Sequence, residues 1–271
     1  MPHPPIQSDR RRALYASTAW LIGPLLPMSS VLARMLIDES DAVITGLSAQ
    51  LVRGHNTTRE RAVAIHDYVR DTIRFGFTPH FYAMSATEVL SAGVGYSNTK
   101  ATLFIALLRA AGIEARQQFV DVNAAVLYGM FDLRTPFVDH SYTEVLLDGA
   151  WVPTDSYIVD SVLFRAAQAV LRAEGRRLGY GVHVDGRLDW DGRKPAFAQF
   201  PSDEPRLSRH RWGVFPDVAA FYESTPAAWN RLTDILRVTF PLAALTGNRA
   251  ADALRAHGPS AVRNGKLRSR A

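Results

Sequence analysis

The 271-residue chain contains no cysteine. This excludes disulfides and thiolate metal sites and leaves the redox compartment open. Lysine is nearly missing as well, occurring only at Lys100, Lys194 and Lys266, so the net charge of +5 rests on arginine. Apart from Arg10-Arg11-Arg12 and the tail after Arg263, those arginines are scattered. A nucleic-acid-binding chain would gather them on one stripe, so nucleic acid is not expected as a partner. Beyond the N-terminal segment, no stretch reaches the roughly 18 uninterrupted apolar residues that span a bilayer. Internal repeats, low-complexity segments, a G-x-G-x-x-G element and a P-loop are all absent. There is also no H-x-x-x-H pair or carboxylate cluster, so neither a cofactor nor a metal is expected.

What is present is ordinary for a globular protein with a substantial core: 47% hydrophobic and 21% charged residues. After the three arginines, "ALYASTAWLIGPLLPMSSVLA" has the look of a signal peptide. Gly23, Pro24 and Pro27 interrupt it, and "RMLIDESDAVITGLSAQLV" reads as a continuation into a folded domain. A cytoplasmic location is therefore the expectation, with export as the alternative.

Helical spacing over 38–52 places Val43, Ile44, Leu47 and Leu51 on one face. "NTTRERAVAIHDYVRDTIRF" is a clearer helix, capped by Thr57 or Thr58, with a buried stripe of Ala62, Ile65, Val69 and Ile73. A loop and a short helix closed by Gly93 and Gly95 follow. From Ser97 to Ala111 runs a helix apolar on nearly all sides, which belongs in a core rather than at a surface. "IEARQQFVDV" reads as a strand, and "HSYTEVLLDGAWVPTD" as a hairpin around Asp148-Gly149. Helices, one buried helix and then antiparallel strands indicate an α+β fold. After Tyr157 come an amphipathic helix, a turn-rich segment and another helix. The expected organisation is a leader and lead-in over 1–37, a core over 38–160, an extension over 161–258 that packs on or caps it, and a disordered tail over 259–271.

The stretch "GYSNTKATLF" contains Ser97-Asn98-Thr99-Lys100, formally the S-x-x-K element of penicillin-recognising serine hydrolases. That chemistry also needs a K-T-G-like strand, and Lys194 precedes Pro195 while Lys266 precedes Leu267. A plainer role for Ser97 is helix N-cap. A third role follows from the residues downstream. "GVGYSNTKATLFIALLRAAGIEAR" together with "DHSYTEVLLDGAWVPTD" resembles the transglutaminase-like superfamily, a branch of the papain-like thiol enzymes. In that family a G-x-G-aromatic-Cys element opens the central helix. An H-x-aromatic-x-E-V strand carries the catalytic His, and a G-x-W strand ends in the catalytic Asp.

The resemblance covers roughly residues 38 to 160 and implies a transglutaminase-like, papain-like core with a buried nucleophile helix packed on an antiparallel sheet. It puts the Cys position on Ser97, the His on His140 and the Asp on Asp155, with Tyr142 where Trp is usual. Tyr96, Tyr82 and Tyr142 are expected beside the oxyanion site and substrate cleft. The three positions are chemically coherent in their own right. A helix N-terminus favours an anion, and the hairpin arms bring His140 and Asp155 together, so that the Asp can orient the imidazole.

A serine at the thiol position is a much weaker nucleophile. Either Ser97 replaces a cysteine and disarms an acyl-transfer enzyme, which is the favoured reading, or it is native. A native serine would favour a catalytically inactive binding module on the same fold. The enzyme reading covers protease, amidase, or an amide-forming or cyclising biosynthetic enzyme acting on a peptide or an acyl-thioester. Arginines near 165–177 would suit an acidic partner such as a carrier protein. Of the other histidines, His66 and His80 read as structural, while His183 and His210 are candidates to line a cleft. Glu144 shares a strand face with His140 and reads as support.

Overall fold

The computed structural model describes residues 36–260 except 79, 132, 134, 201–207 and 225–226, and leaves out the side chains of 208–209 and 227–239. The leader expected over 1–37 and the tail expected from 259 thus fall almost wholly outside the described residues. The two exceptions at the start, Leu36 and Ile37, are buried in the core.

Helix α1 spans Ala42–Leu51 and is capped by Asp41, whose carboxylate accepts from the amides of Val43 and Ile44. It begins four residues later than the spacing predicts, and Val43 faces solvent at 58% exposure while Ile44 is buried. Helix α2, Thr58–Thr72, starts from a reciprocal capping box. Thr57 Oγ1 accepts from Glu60 N at 3.1 Å, and Glu60 Oε2 accepts from Thr57 N at 3.0 Å. Its expected stripe of Ala62, Ile65, Val69 and Ile73 is fully enclosed.

Strand β1 (Arg74–Phe75) pairs in parallel with β2 (Val94–Gly95), and α3 (Ala86–Ala92) lies between them in the chain. Helix α4, Ser97–Ala110, follows directly and is buried along every residue from Ser97 to Leu108. Helices α1, α2 and α3 surround it, as does the sheet. Gly95 is needed at the approach, since a Cβ there would stand 2.8 Å from Thr99 Oγ1 and 3.0 Å from Lys100 Cγ.

The sheet has β3 (Ala115–Asn123), β4 (Phe137–Leu147), β5 (Ala150–Thr154) and a later strand, β8 (Ser208–Phe215), in the order β5-β4-β3-β8, all antiparallel. At the β4–β5 turn Asp148 and Gly149 both have positive φ, 50° and 80°, which matches the right-handed twist of the arms. Helix α5 (Ser161–Glu174), the two-residue strands β6 (Leu178–Gly179) and β7 (Val182–His183), α6 (Val218–Ser224) and the long α7 (Ala227–His257) complete the fold. The chain after residue 160 therefore does more than cover a finished core, because β8 forms the sheet edge beside β3. Among the described residues, no helix is long and apolar enough to cross a membrane. No group of three or more His, Asp or Glu side chains among them could hold a metal.

Candidate active site

Ser97 is the first residue inside α4. The N-cap is Tyr96, so the expected capping role of Ser97 is not what the structure shows. Thr99 closes the turn instead, its Oγ1 accepting from the Tyr96 amide at 3.0 Å. Lys100 takes no part in an S-x-x-K site. Its Nζ donates to the carbonyls of Ile73 at 2.5 Å and Arg70 at 3.3 Å, which lie at the C-terminal end of α2. Burial pushes its ammonium down to about 7.

His140 lies three residues inside β4 rather than opening it. Strand alternation sends Ser141 to Asn98 on α4, with Ser141 Oγ donating to Asn98 Oδ1 at 2.8 Å. His140 turns the other way, edge-on to Phe200 with ring centroids 5.2 Å apart. There its Nε2 stands 3.4 Å from Asp155 Oδ2, an ion-pair separation without hydrogen-bond alignment. The register explains the meeting. Thr143 pairs with Thr154, so Asp155, one residue past β5, comes level with the Tyr142–His140 side of β4. Asp155 is fully buried and held from behind. Its Oδ1 accepts from Ala198 N at 2.5 Å, and its Oδ2 accepts from Gln199 N at 3.3 Å.

Ser97 and His140 border the same cavity of about 340 Å³. Tyr96, Asp139 and Gln199 also line it, as do Phe75, Phe77, Phe81, Phe131, Phe137 and Phe240. Of the three tyrosines expected at the cleft, Tyr96 lines this cavity. Tyr82 does not, being stacked on Tyr222 at 4.4 Å. Tyr142 does not either. It packs edge-on to Phe197 at 5.5 Å, and its hydroxyl takes a hydrogen bond from Arg211. His183 and His210 are likewise not among the lining residues. His66 is fully buried and bonded to Ser156 Oγ at 2.7 Å and Asp67 at 2.9 Å, a structural position. Glu144 accepts from Arg116 at 2.7 Å.

Three features of the site were not read from the sequence. Gln199 borders the cavity and helps hold Asp155, although nothing in "AFAQF" signals either role. Phe240 reaches the cavity from α7, across a separation that no local pattern carries. The half-buried Asp139 lies beside Tyr222 and Asn98. Tyr222 donates to its Oδ2 at 2.5 Å and Asn98 Nδ2 stands 3.5 Å away, while removal from water raises its carboxyl above the ordinary range.

Residues 45–156 match the sequence pattern of the transglutaminase-like superfamily, and this segment contains Ser97, His140 and Asp155. No curated protein is significantly similar to the chain. Two solved structures share part of it. A candidate cysteine protease from Cytophaga hutchinsonii is 20% identical with a TM-score of 0.36, covering 46% of this chain and 40% of its own. A candidate protease from Parabacteroides distasonis is 17% identical with a TM-score of 0.34, covering 46% of this chain and 25% of its own. The chain thus spans less than half the length of either structural neighbour. Residues 45–156, the segment that holds α4 and the β4–β5 hairpin, are thus similar to the transglutaminase-like superfamily.

Proposed function

We propose that the chain is an acyl-transfer enzyme of the transglutaminase-like superfamily, working through Ser97, His140 and Asp155 with serine at the family's cysteine position. The observation that carries this reading is the buried His140–Asp155 pair bordering the same cavity as the first residue of α4. Asp155 faces Nε2 of the imidazole, which leaves Nδ1 as the base. In the reaction Nδ1 takes the nucleophile's proton while Ser97 Oγ bonds to the substrate carbonyl carbon. The proton then passes to the departing amine or thiolate as the C–N or C–S bond breaks, leaving an ester on Ser97. Water or an amine next displaces the acyl group by the same steps in reverse. Free amides in the first turn of α4 stabilise the oxyanion.

A hydroxyl in this setting depends wholly on the base, so turnover by the Ser97 chain is slow and a Ser97→Cys chain is fast. The test is incubation of both chains with peptide amides and acyl thioesters, followed by intact-mass measurement. An acyl adduct on Ser97→Cys that vanishes in Ser97→Cys/His140→Ala supports the enzyme. Binding of the same compounds with no adduct on either chain favours the inactive binding module. Exposed Arg165 and Arg172 on α5 suit an acidic carrier protein as acyl donor, and charge reversal there would weaken binding of such a carrier.

A further inference from the structure

The cavity that Ser97 and His140 border is walled chiefly by apolar side chains, Phe77, Phe81, Phe131 and Phe240 among them. Phe77 stands at 71° to Phe131 with centroids 4.7 Å apart, and Phe81 stands at 59° to Phe240 at 4.8 Å. Rings set so steeply to one another wall a box rather than a slot. Two of them lie directly against the backbone of α7 at Gly247. A Cβ there would meet Phe131 Cζ at 2.6 Å and Phe77 Cδ2 at 2.9 Å. The box is therefore formed before any ligand enters it.

One carboxylate interrupts this apolar wall. Asp139 is the only acid among the described lining residues, and no lysine or arginine is among them. Its Oδ2 takes both the hydrogen bond from Tyr222 (2.5 Å) and the longer contact from Asn98 Nδ2 (3.5 Å). Both groups are donors, which suits the ionised form. The other oxygen, Oδ1, takes no hydrogen bond from the other described residues and is not sealed from water. Asp139 is half-buried, so this oxygen stays within reach of a ligand. Withdrawal from water raises the carboxyl above its ordinary range, a cost that an approaching cation relieves. His140 is neutral when it serves as the base, so the wall carries net negative charge.

A carboxylate set in an aromatic box is suited to an organic ammonium. The ring quadrupoles and the carboxylate both attract the charge, while the carbon atoms around it pack against the rings. An anion would meet like charge, and a neutral group of the same shape would leave Asp139 unanswered. A volume of about 340 Å³ is at the small end for ligand sites and admits one such group with a short acyl chain.

We propose that the cavity takes an acyl donor whose acyl group carries an organic ammonium, seated between the Asp139 carboxylate and the phenylalanines. An ammonium held there has no lone pair to attack with, so it is a recognition group and not the acyl acceptor. The inference rests on the acyl-transfer reading only in making this cation part of the donor. Asp139 is then a specificity-determining residue.

The test is a binding titration by ligand-observed NMR on the unaltered Ser97 chain. It uses 4-(trimethylammonio)butanamide, its neutral isostere 5,5-dimethylhexanamide, and the anion glutaramate. The expected result is about tenfold tighter binding of the cation than of the isostere, and no binding of the anion. Asp139→Asn keeps an acceptor for Tyr222 and loses the charge. It should bring the cation down to the level of the isostere and leave the isostere unchanged, which also shows that the variant keeps its cavity. Equal affinity for cation and isostere on the unaltered chain, tighter binding of the anion, or no binding of any of the three overturns the proposal without recourse to the variant. So does a cation preference that survives Asp139→Asn. Adduct formation by Ser97→Cys is read separately. Adducts without a cation preference overturn this inference and leave acyl transfer standing, while a cation preference without adducts keeps the cation site and removes acyl transfer.

Discussion

The ammonium of Lys100 is enclosed by α4 and its neighbours and donates to the last carbonyls of α2. Loss of water brings its folded-state pKa down to about 7, against 10.5 for an unperturbed lysine. Between these values the unfolded chain holds the extra proton, so stability rises with pH across that window. Below pH 7 both states are charged and the full penalty remains. Urea midpoints from pH 7 to 9 should therefore climb for the parent relative to Lys100→Met, with a limiting slope of about 1.4 kcal/mol per pH unit. Parallel curves would show that the ammonium keeps its ordinary pKa in the fold. At Asp155 the expectation concerns rate. The carboxylate faces His140 Nε2 and is anchored by the amides of Ala198 and Gln199. In the Ser97→Cys background, Asp155→Asn should lower kcat by about 10³-fold through the wrong imidazole tautomer. A change of less than tenfold in steady-state assays would remove Asp155 from the relay.

Asp160 ties three elements together. Its Oδ1 caps α5 by accepting from Leu163 N at 3.1 Å, and its Oδ2 accepts from Phe75 N on β1 at 3.0 Å. Arg255 on α7 pairs with it at 2.5 Å and also reaches the Phe75 carbonyl. Burial alone would raise the Asp160 carboxyl, but the guanidinium and the two amides outweigh it and hold the pKa low. Its contribution is thus present above the unfolded carboxylate pKa and lost as pH falls through the folded value. Arg255→Ala leaves a buried carboxylate uncompensated and should cost about 3 kcal/mol in urea unfolding. A loss below 1 kcal/mol would mean that α7 is held by other contacts. Thr57→Ala, which opens the capping box of α2, should cost about 1 kcal/mol in the same measurement.

Elements whose signals are local were legible in the chain. Thr57, one of the two caps expected for α2, is the cap the structure shows, and Asp148-Gly149 announces the β4–β5 turn. Ser97 was misplaced by one position at the start of α4, because Tyr96 gives no side-chain cap signal and Thr99 closes the turn instead.

For the whole molecule, the α+β arrangement around a buried helix could be read from apolar periodicity, and the approach of His140 to Asp155 from the hairpin that carries them. Contacts that depend on distant pairing could not. Val120 meets both His140 on β4 and Arg211 on β8, and the second partner is 91 residues away along the chain. The amides behind Asp155 and the ring of Phe240 also come from beyond residue 160. A chain ending at residue 160 should therefore lack a cooperative urea transition, whereas one spanning 36–260 should keep it. A cooperative shorter chain would show that the later segment is an addition rather than part of the fold.

If His140 activates whatever nucleophile stands at position 97, as the proposed reaction requires, alkylation reveals it without a substrate. In Ser97→Cys, iodoacetamide at pH 6 should modify the thiol at least roughly a hundredfold faster than in Ser97→Cys/His140→Ala, since an ordinary thiol of pKa about 8.5 is almost wholly protonated there. Equal rates in the two chains would mean that the imidazole does not reach the head of the buried helix, and the proposed acyl-transfer site would not exist.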